Sequence, residues 1–208
     1  MEKSRIFIGE ARLEAEERET SEPKTQGRMQ RQKLLSLLGR RLLYRIVLEE
    51  YGTDLSLEQD PLAAEPLGKP YLRSHRDIFF NISHSEARVV CAVGSVPLGI
   101  DIQNHKTVQP ERLERMAVRF LSPRELEQYR EASRKAESFY HFWTKKESYL
   151  KYTGEGIRRN LGELAYEGCR FLPLRMPSGW SGMLCVPEEW AGEIRWMENF
   201  QGGRGIQP

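Results

Sequence analysis

Residues 78–103 read IFFNISHSEARVVCAVGSVPLGIDIQ, and the fold class turns on how its apolar runs alternate with turn residues. Ile78 to Ile82 is a short apolar, aromatic run. Ser83-His84-Ser85-Glu86 reads as a turn. Ala87 to Val93 is a second run, dense enough in apolar residues to be buried on both faces. Gly94 to Pro97 supplies another turn, and Leu98 to Gln103 forms a third run. Connections this short predict an antiparallel meander of three strands.

Helical patterns flank this segment on both sides. Upstream, Leu34, Leu37, Leu38, Leu42, Ile46 and Leu48 recur at helical spacing and predict a long amphipathic helix over residues 29–51. Residues 52–77 carry Pro61, Pro66 and Pro70 and read as a loop-rich connector. Downstream, Ser122-Pro123-Arg124-Glu125 has an N-cap serine, a proline at the first helical position and a glutamate placed to complete a capping box. Another helix is predicted from about Arg134 to Tyr152, ending before Gly154. Residues 161–196 alternate enough for two or three strands, and the end, QGGRGIQP, reads as a loose tail. The layout is α+β: helices with a small antiparallel sheet, then helices with a second small sheet.

Composition narrows the function classes. The 208 residues suit one large domain or two small ones packed together, with 39% hydrophobic residues to build a core. No stretch approaches the ~20 apolar residues of a membrane span, and residues 1–15 lack the apolar core of a secretory signal. These features predict a cytoplasmic protein without a membrane partner. The three cysteines, Cys91, Cys169 and Cys185, lack metal-ligand spacing and read as reduced core residues. A net charge of +2 carries no global nucleic-acid signature. The charge is unevenly placed, however. Lys24, Arg28, Arg31, Lys33, Arg40, Arg41 and Arg45 fall in residues 24–45 with no acid among them. Such a run is either a solvated helix face or a patch for phosphates or an acidic protein.

Two stretches carry the candidate chemistry. In the strand from Leu98 to Gln103, alternation puts Gly99, Asp101 and Gln103 on one face. A carboxylate and an amide oxygen then stand about 7 Å apart along the strand. The plain alternative is a half-exposed sheet with its polar side in water. In the helix, Trp143, Glu147 and Lys151 share one stripe at i, i+4 spacing. An ordinary surface ion pair beside a core tryptophan would explain that stripe equally well. If Asp101 and Glu147 met, their oxygens would suit magnesium, which prefers hard ligands and keeps waters and substrate phosphates. His84, with Ser83 beside it, is either a structural turn residue or a phosphate contact.

The stretches FNISHS, LGIDIQ and FWTKKESYLKYTGEGI occur in this order, with Gly68-Lys69-Pro70 upstream and Leu37-Leu38-Gly39 in the first long helix. Together they resemble the signature motifs of the 4′-phosphopantetheinyl transferases, closest to the long, surfactin-synthetase-activator (Sfp) type. The resemblance covers roughly residues 33–160. It implies that coenzyme A is the substrate and that Mg²⁺, or Mn²⁺, is the cofactor. The partners it implies are apo acyl or peptidyl carrier proteins. Asp101 and Glu147 match the acidic metal ligands, and Glu147 is also the general-base candidate. Lys151 matches the lysine of the WxxKExxxK helix that contacts the phosphates. Lys69, Ser83 and His84 match positions that grip coenzyme A, with His84 near its 3′-phosphate. Ser36 falls where the family has a small hydroxyl residue near the nucleotide. Lys24, Arg28 and Arg31 are further basic candidates. Gln103 departs from the bacterial prototype's glutamate, so its place as a metal ligand is open.

The same resemblance implies a pseudo-dimer of two similar α+β halves, here about 1–97 and 98–208, with the active site in the cleft between them. Because both halves lie in one chain, a monomer is expected. Arg115, Met116 and Arg119 are the expected carrier-docking residues, with Arg40, Arg41 and Arg45 as the alternative. The rival reading is a non-catalytic carrier-protein or nucleotide-binding module of the same fold, which Gln103 favours and the joint presence of Asp101, Glu147 and Lys151 opposes.

Overall fold

The computed structural model describes residues 4–13, 24–105, 108–156 and 160–197, with side chains from residue 27 onward in the first helix. Lys24's side chain and the tail from 198 lie outside the described residues. The elements follow the order β1 (Arg5–Arg12), α1 (Lys24–Tyr51), β2 (Leu62–Ala64), β3 (Pro70–Leu72), β4 (Phe79–Ser85), β5 (Arg88–Gly94), β6 (Gly99–Asn104), α2 (Pro110–Phe120), α3 (Pro123–Glu131), α4 (Lys135–Thr153), β7 (Cys169–Pro173), β8 (Trp180–Pro187) and β9 (Glu193–Trp196). This is the expected α+β layout. No helix among the described residues is long and apolar enough to cross a membrane.

The strands form a four-stranded sheet in the order β4-β5-β1-β9, a three-stranded sheet in the order β6-β8-β7, and the β2-β3 hairpin. β5 is buried along its whole length, as its apolar run predicts. The meander is only half right. β4 and β5 pair as an antiparallel hairpin, but β5's other edge is taken by β1. β6 therefore has no place beside β5 and pairs antiparallel with β8 in the second sheet, Asp101 opposite Met183. β9 pairs parallel with β1, so the chain returns to the first sheet near its end.

The expected turn over Ser83–Glu86 is also corrected. β4 continues through His84 to Ser85, and the reversal falls on Glu86, whose φ of 49° is left-handed. Polar residues persist in the strand because Ser83 and Ser85 find partners in β6.

α1 starts five residues earlier than its apolar spacing predicts. Its core-facing stripe is Leu35, Leu38, Leu42, Leu43, Ile46 and Val47, packed on Val89, Cys91 and Val93 of β5. Leu37 and Leu48 instead stay 47% and 48% exposed, because the buried stripe follows i, i+3, i+4 and i+7 from Leu35. The capping box at Ser122 forms as expected, the serine accepting from Glu125 N–H and Glu125 from Ser122 N–H. α4 ends on Gly154 in the left-handed region at φ 77°, a conformation that costs glycine nothing. All three cysteines are free, with Cys91 and Cys185 buried.

Candidate active site

β6 and α4 pack face to face, and Gly99 is what allows the approach. A Cβ there would collide with the carbonyl oxygen of Ser148 and the backbone nitrogen of Tyr152. Asp101, on the same face as Gly99, thus lies under the helix at 2% exposure rather than in water. Lys151 is one turn beyond Glu147 and reaches down to it. Its ammonium donates to Asp101 Oδ1 at 2.7 Å, to Ser83 Oγ at 3.0 Å and to the Ile100 carbonyl at 3.1 Å. These three acceptors use all three ammonium protons. Asp101 Oδ1 also receives the Ser83 hydroxyl at 2.8 Å, and Oδ2 receives the Gln103 amide at 3.2 Å.

Glu147 completes the cluster electrostatically. Its carboxyl is held above the usual carboxylate range, first by burial and then by the charge of Asp101, with Lys151 opposing. Two carboxylates close enough to repel in a buried place are the arrangement that a hard dication relieves. Among the described residues no group of three or more His, Cys, Asp and Glu side chains gathers as a metal site. The protein therefore offers two carboxylates and the Gln103 amide, which is the sparse oxygen set that magnesium accepts when waters and phosphates complete its shell.

His84 stands on the neighbouring strand between two cavities. One, of about 640 Å³, is lined by Ser36, Arg40, Tyr44, Phe80, Ile82 and His84. The other, of about 570 Å³, is lined by Arg28, Arg31, Gln32, His84, Ser85 and Gln103. Burial, and then the charge of Lys151, hold the His84 imidazole below its ordinary pKa. Arg31 also reaches Glu86 at 3.2 Å. Gln103 touches both the Asp101 carboxylate and the second cavity, and so joins the acidic cluster to the basic one.

Two sequence-predicted residues stand apart from these cavities. Lys69 turns its ammonium to the carbonyls of Tyr152, in the last turn of α4, at 2.5 Å and of Leu98 at 3.4 Å. Burial lowers its pKa to about 8. Ser83 is buried, and its hydroxyl is fully used by Asp101, Ile102 and Lys151. Sequence reasoning passed over Lys146, the neighbour of Glu147. At 1% exposure it pairs with Glu125 at 2.6 Å and donates to the Leu161 carbonyl at 2.9 Å, while Tyr166 donates to Glu125. The doublet Lys145-Lys146 was the available signal: neighbouring helix residues point about 100° apart, so one lysine of the two falls toward the protein.

Comparison with known proteins finds similarity over the segment that carries this geometry. Residues 97–184 match the model of the 4′-phosphopantetheinyl transferase superfamily. That segment holds both β6 and α4. Among curated proteins, a 4′-phosphopantetheinyl transferase of Bacillus subtilis is 37% identical over 124 residues, which are 59% of this chain and 53% of that protein. The transferase Sfp of Bacillus subtilis is 35% identical over the same shares. A transferase of Bacillus pumilus is 38% identical over 128 residues, 61% of this chain and 52% of that one. The chain spans about half the length of the curated relatives it matches. The motifs quoted from the sequence resemble the same family that these matches name, and the relatives bear the names of enzymes.

Proposed function

We propose that this chain transfers the 4′-phosphopantetheine arm of coenzyme A to a serine of an apo acyl or peptidyl carrier protein, releasing adenosine 3′,5′-bisphosphate. One observation carries the reading. Asp101 from one motif and Glu147 and Lys151 from another form a single cluster around the buried Asp101, joined through Gln103 to a cavity lined by His84, Arg28 and Arg31.

In this reading the pyrophosphate lies over the cluster and the nucleotide end occupies the cavities beside His84. Arg28, Arg31, Arg40 and His84 supply positive charge or donors to phosphates, and Ser36 a hydroxyl near the nucleotide. Asp101, Glu147 and the Gln103 carbonyl would hold a magnesium or manganese ion, which when bound neutralises pyrophosphate charge. Lys151 brings a fixed ammonium to the same place and stabilises charge that develops on the leaving phosphate. Glu147 takes the proton of the attacking serine hydroxyl, and its raised pKa makes it a better base than an ordinary carboxylate. Lys69 is the least direct of the proposed phosphate contacts, because its ammonium faces Tyr152 and Leu98.

The wider reading is a pseudo-dimer of halves 1–97 and 98–208, acting as a cytoplasmic monomer with the site in the cleft between the halves. What supports it is that Asp101 and His84 lie on strands of different sheets. The test is a panel of apo-carrier proteins incubated with coenzyme A and Mg²⁺, followed by intact-protein mass spectrometry. The expected result is addition of the phosphopantetheine arm to at least one carrier, and none after chelation of the metal. Coenzyme A binding with no carrier modified would instead support the non-catalytic module.

A further inference from the structure

β4 and β6 are each the edge strand of their own sheet. An edge strand presents a row of backbone N–H and C=O groups that need partners. β6 satisfies one edge against β8. On its other edge three successive outward amides find side chains of β4 instead of a backbone ladder. Ile100 N–H donates to Asn81 Oδ1 at 3.0 Å, Ile102 N–H to Ser83 Oγ at 3.2 Å, and Asn104 N–H to Ser85 Oγ at 3.1 Å. The spacing of two on both strands makes this a register-fixing zipper, and all three β4 residues are buried.

We infer that Asn81, Ser83 and Ser85 are positioning residues, whose side-chain ladder locks β6 against β4 and so fixes Asp101 beside Ser83 and Lys151, with Gln103 at the level of His84. This inference rests on the transfer reading for its catalytic consequence, though not for its geometry. The ladder joins the two parts of the site, because His84 lies between Ser83 and Ser85 on β4 and Asp101 lies between Ile100 and Ile102 on β6. Slipping by one rung would move Asp101 about 7 Å relative to His84. A backbone ladder would hold the strands about 4.8 Å apart, whereas a side chain inserted at each rung separates them further. The two sheets therefore stay distinct yet registered. Asn81 is a cleaner probe than Ser83, since its bond from Ile100 N–H is its one hydrogen bond in this network and it does not contact Asp101 or Lys151 through one.

The experiment compares the full chain with Asn81→Ala, Ser83→Ala and Ser83→Thr. It reads amide hydrogen exchange by NMR, Mn²⁺ binding by electron paramagnetic resonance without coenzyme A, and transfer kinetics. In the unaltered chain the amides of Ile100, Ile102 and Asn104 should exchange as slowly as those of Asp101 and Gln103, which face β8. Asn81→Ala should speed exchange at Ile100 while Asp101 and Gln103 stay protected. It should also weaken Mn²⁺ binding and lower kcat by about tenfold or more, the usual scale for a residue acting through a ligand. The KM for coenzyme A should change little. Ser83→Thr keeps the hydroxyl and should retain Mn²⁺ binding that Ser83→Ala loses. Fast exchange at the three amides in the unaltered chain would overturn the ladder. A raised KM for coenzyme A with unchanged kcat and Mn²⁺ affinity in Asn81→Ala would overturn the positioning role. If the unaltered chain modified no carrier, the transfer reading alone would fall, and exchange and Mn²⁺ binding would still decide the ladder.

Discussion

The two sides of the site handle charge in opposite ways. On the β6–α4 side, Asp101 and Lys146 are buried and Lys151 is half-buried, and each has a named partner within 3 Å. On the β4–α1 side, Arg28 and Arg40 line open cavities at the surface of a helix. Burial explains the contrast. A charge removed from water requires a partner, so the interior cluster is paired and rigid, whereas charges left in water can wait for a ligand. The first arrangement suits chemistry, which needs fixed dipoles. The second suits capture of an anionic substrate, which gains from accessible cations.

If that contrast is right, breaking a pair on the buried side costs the fold itself. Lys146→Met strands Glu125 beside Tyr166 and should destabilise the protein by about 3–5 kcal/mol in urea unfolding. Adding Glu125→Gln should recover part of the loss. A single variant as stable as the parent would show that this pair carries no structural weight.

Asp101→Ala should lower transfer by about 100-fold or more, in line with loss of one preorganised electrostatic group, at any Mg²⁺ concentration. Steady-state assays over a Mg²⁺ titration check this, and near-normal turnover at millimolar metal would remove Asp101 from the site. Gln103→Glu, by contrast, should shift the titration to lower Mg²⁺ if that side chain is a ligand.

Lys69 tests how far burial extends toward the end of α4. Its pKa is lowered from 10.5 to about 8, so between those values the folded chain binds fewer protons than the unfolded chain. The cost of burying the ammonium is present below pH 8, and stability rises as pH climbs through that window. The urea-unfolding difference between the parent and Lys69→Met should therefore shift in the parent's favour from pH 7.5 to pH 10, by at most about 3 kcal/mol. A pH-independent difference would mean that Lys69 is solvated.

Effects on the open side should be smaller and confined to binding. His84→Ala should raise the KM for coenzyme A about tenfold, the scale of one hydrogen bond to a charged group. With dephospho-coenzyme A the loss should largely vanish if His84 meets the 3′-phosphate. Smallest of all, reversing Arg115 or Arg119, both exposed on α2, to glutamate should raise the carrier KM about two- to fivefold. That effect should fade at high salt. If Arg40 or Arg41 reversals do this instead, the docking face is α1.

Local patterns carried much of this in the sequence alone. The Ser122 capping box, the end of α4 at Gly154, the fully buried β5 and the stripe of Trp143, Glu147 and Lys151 all depend on near neighbours in the chain, so spacing and side-chain type suffice to find them. Asp101, Glu147, Lys151 and His84 were singled out through the family resemblance, since spacing alone fits an ordinary ion pair and a structural turn residue as well. What the tertiary structure alone decided is where strands from distant stretches meet. β5 had both edges occupied, which sent β6 to the second sheet. α4 covered Asp101 because Gly99 left room for its backbone. Ser83, read from the sequence as a coenzyme A contact, became a buried link between Asp101 and Lys151, and Lys146 took Glu125 as its partner. Each of these outcomes depends on which edges and faces remain unsatisfied after the other elements have packed, and that is a property of the whole fold and of no single segment.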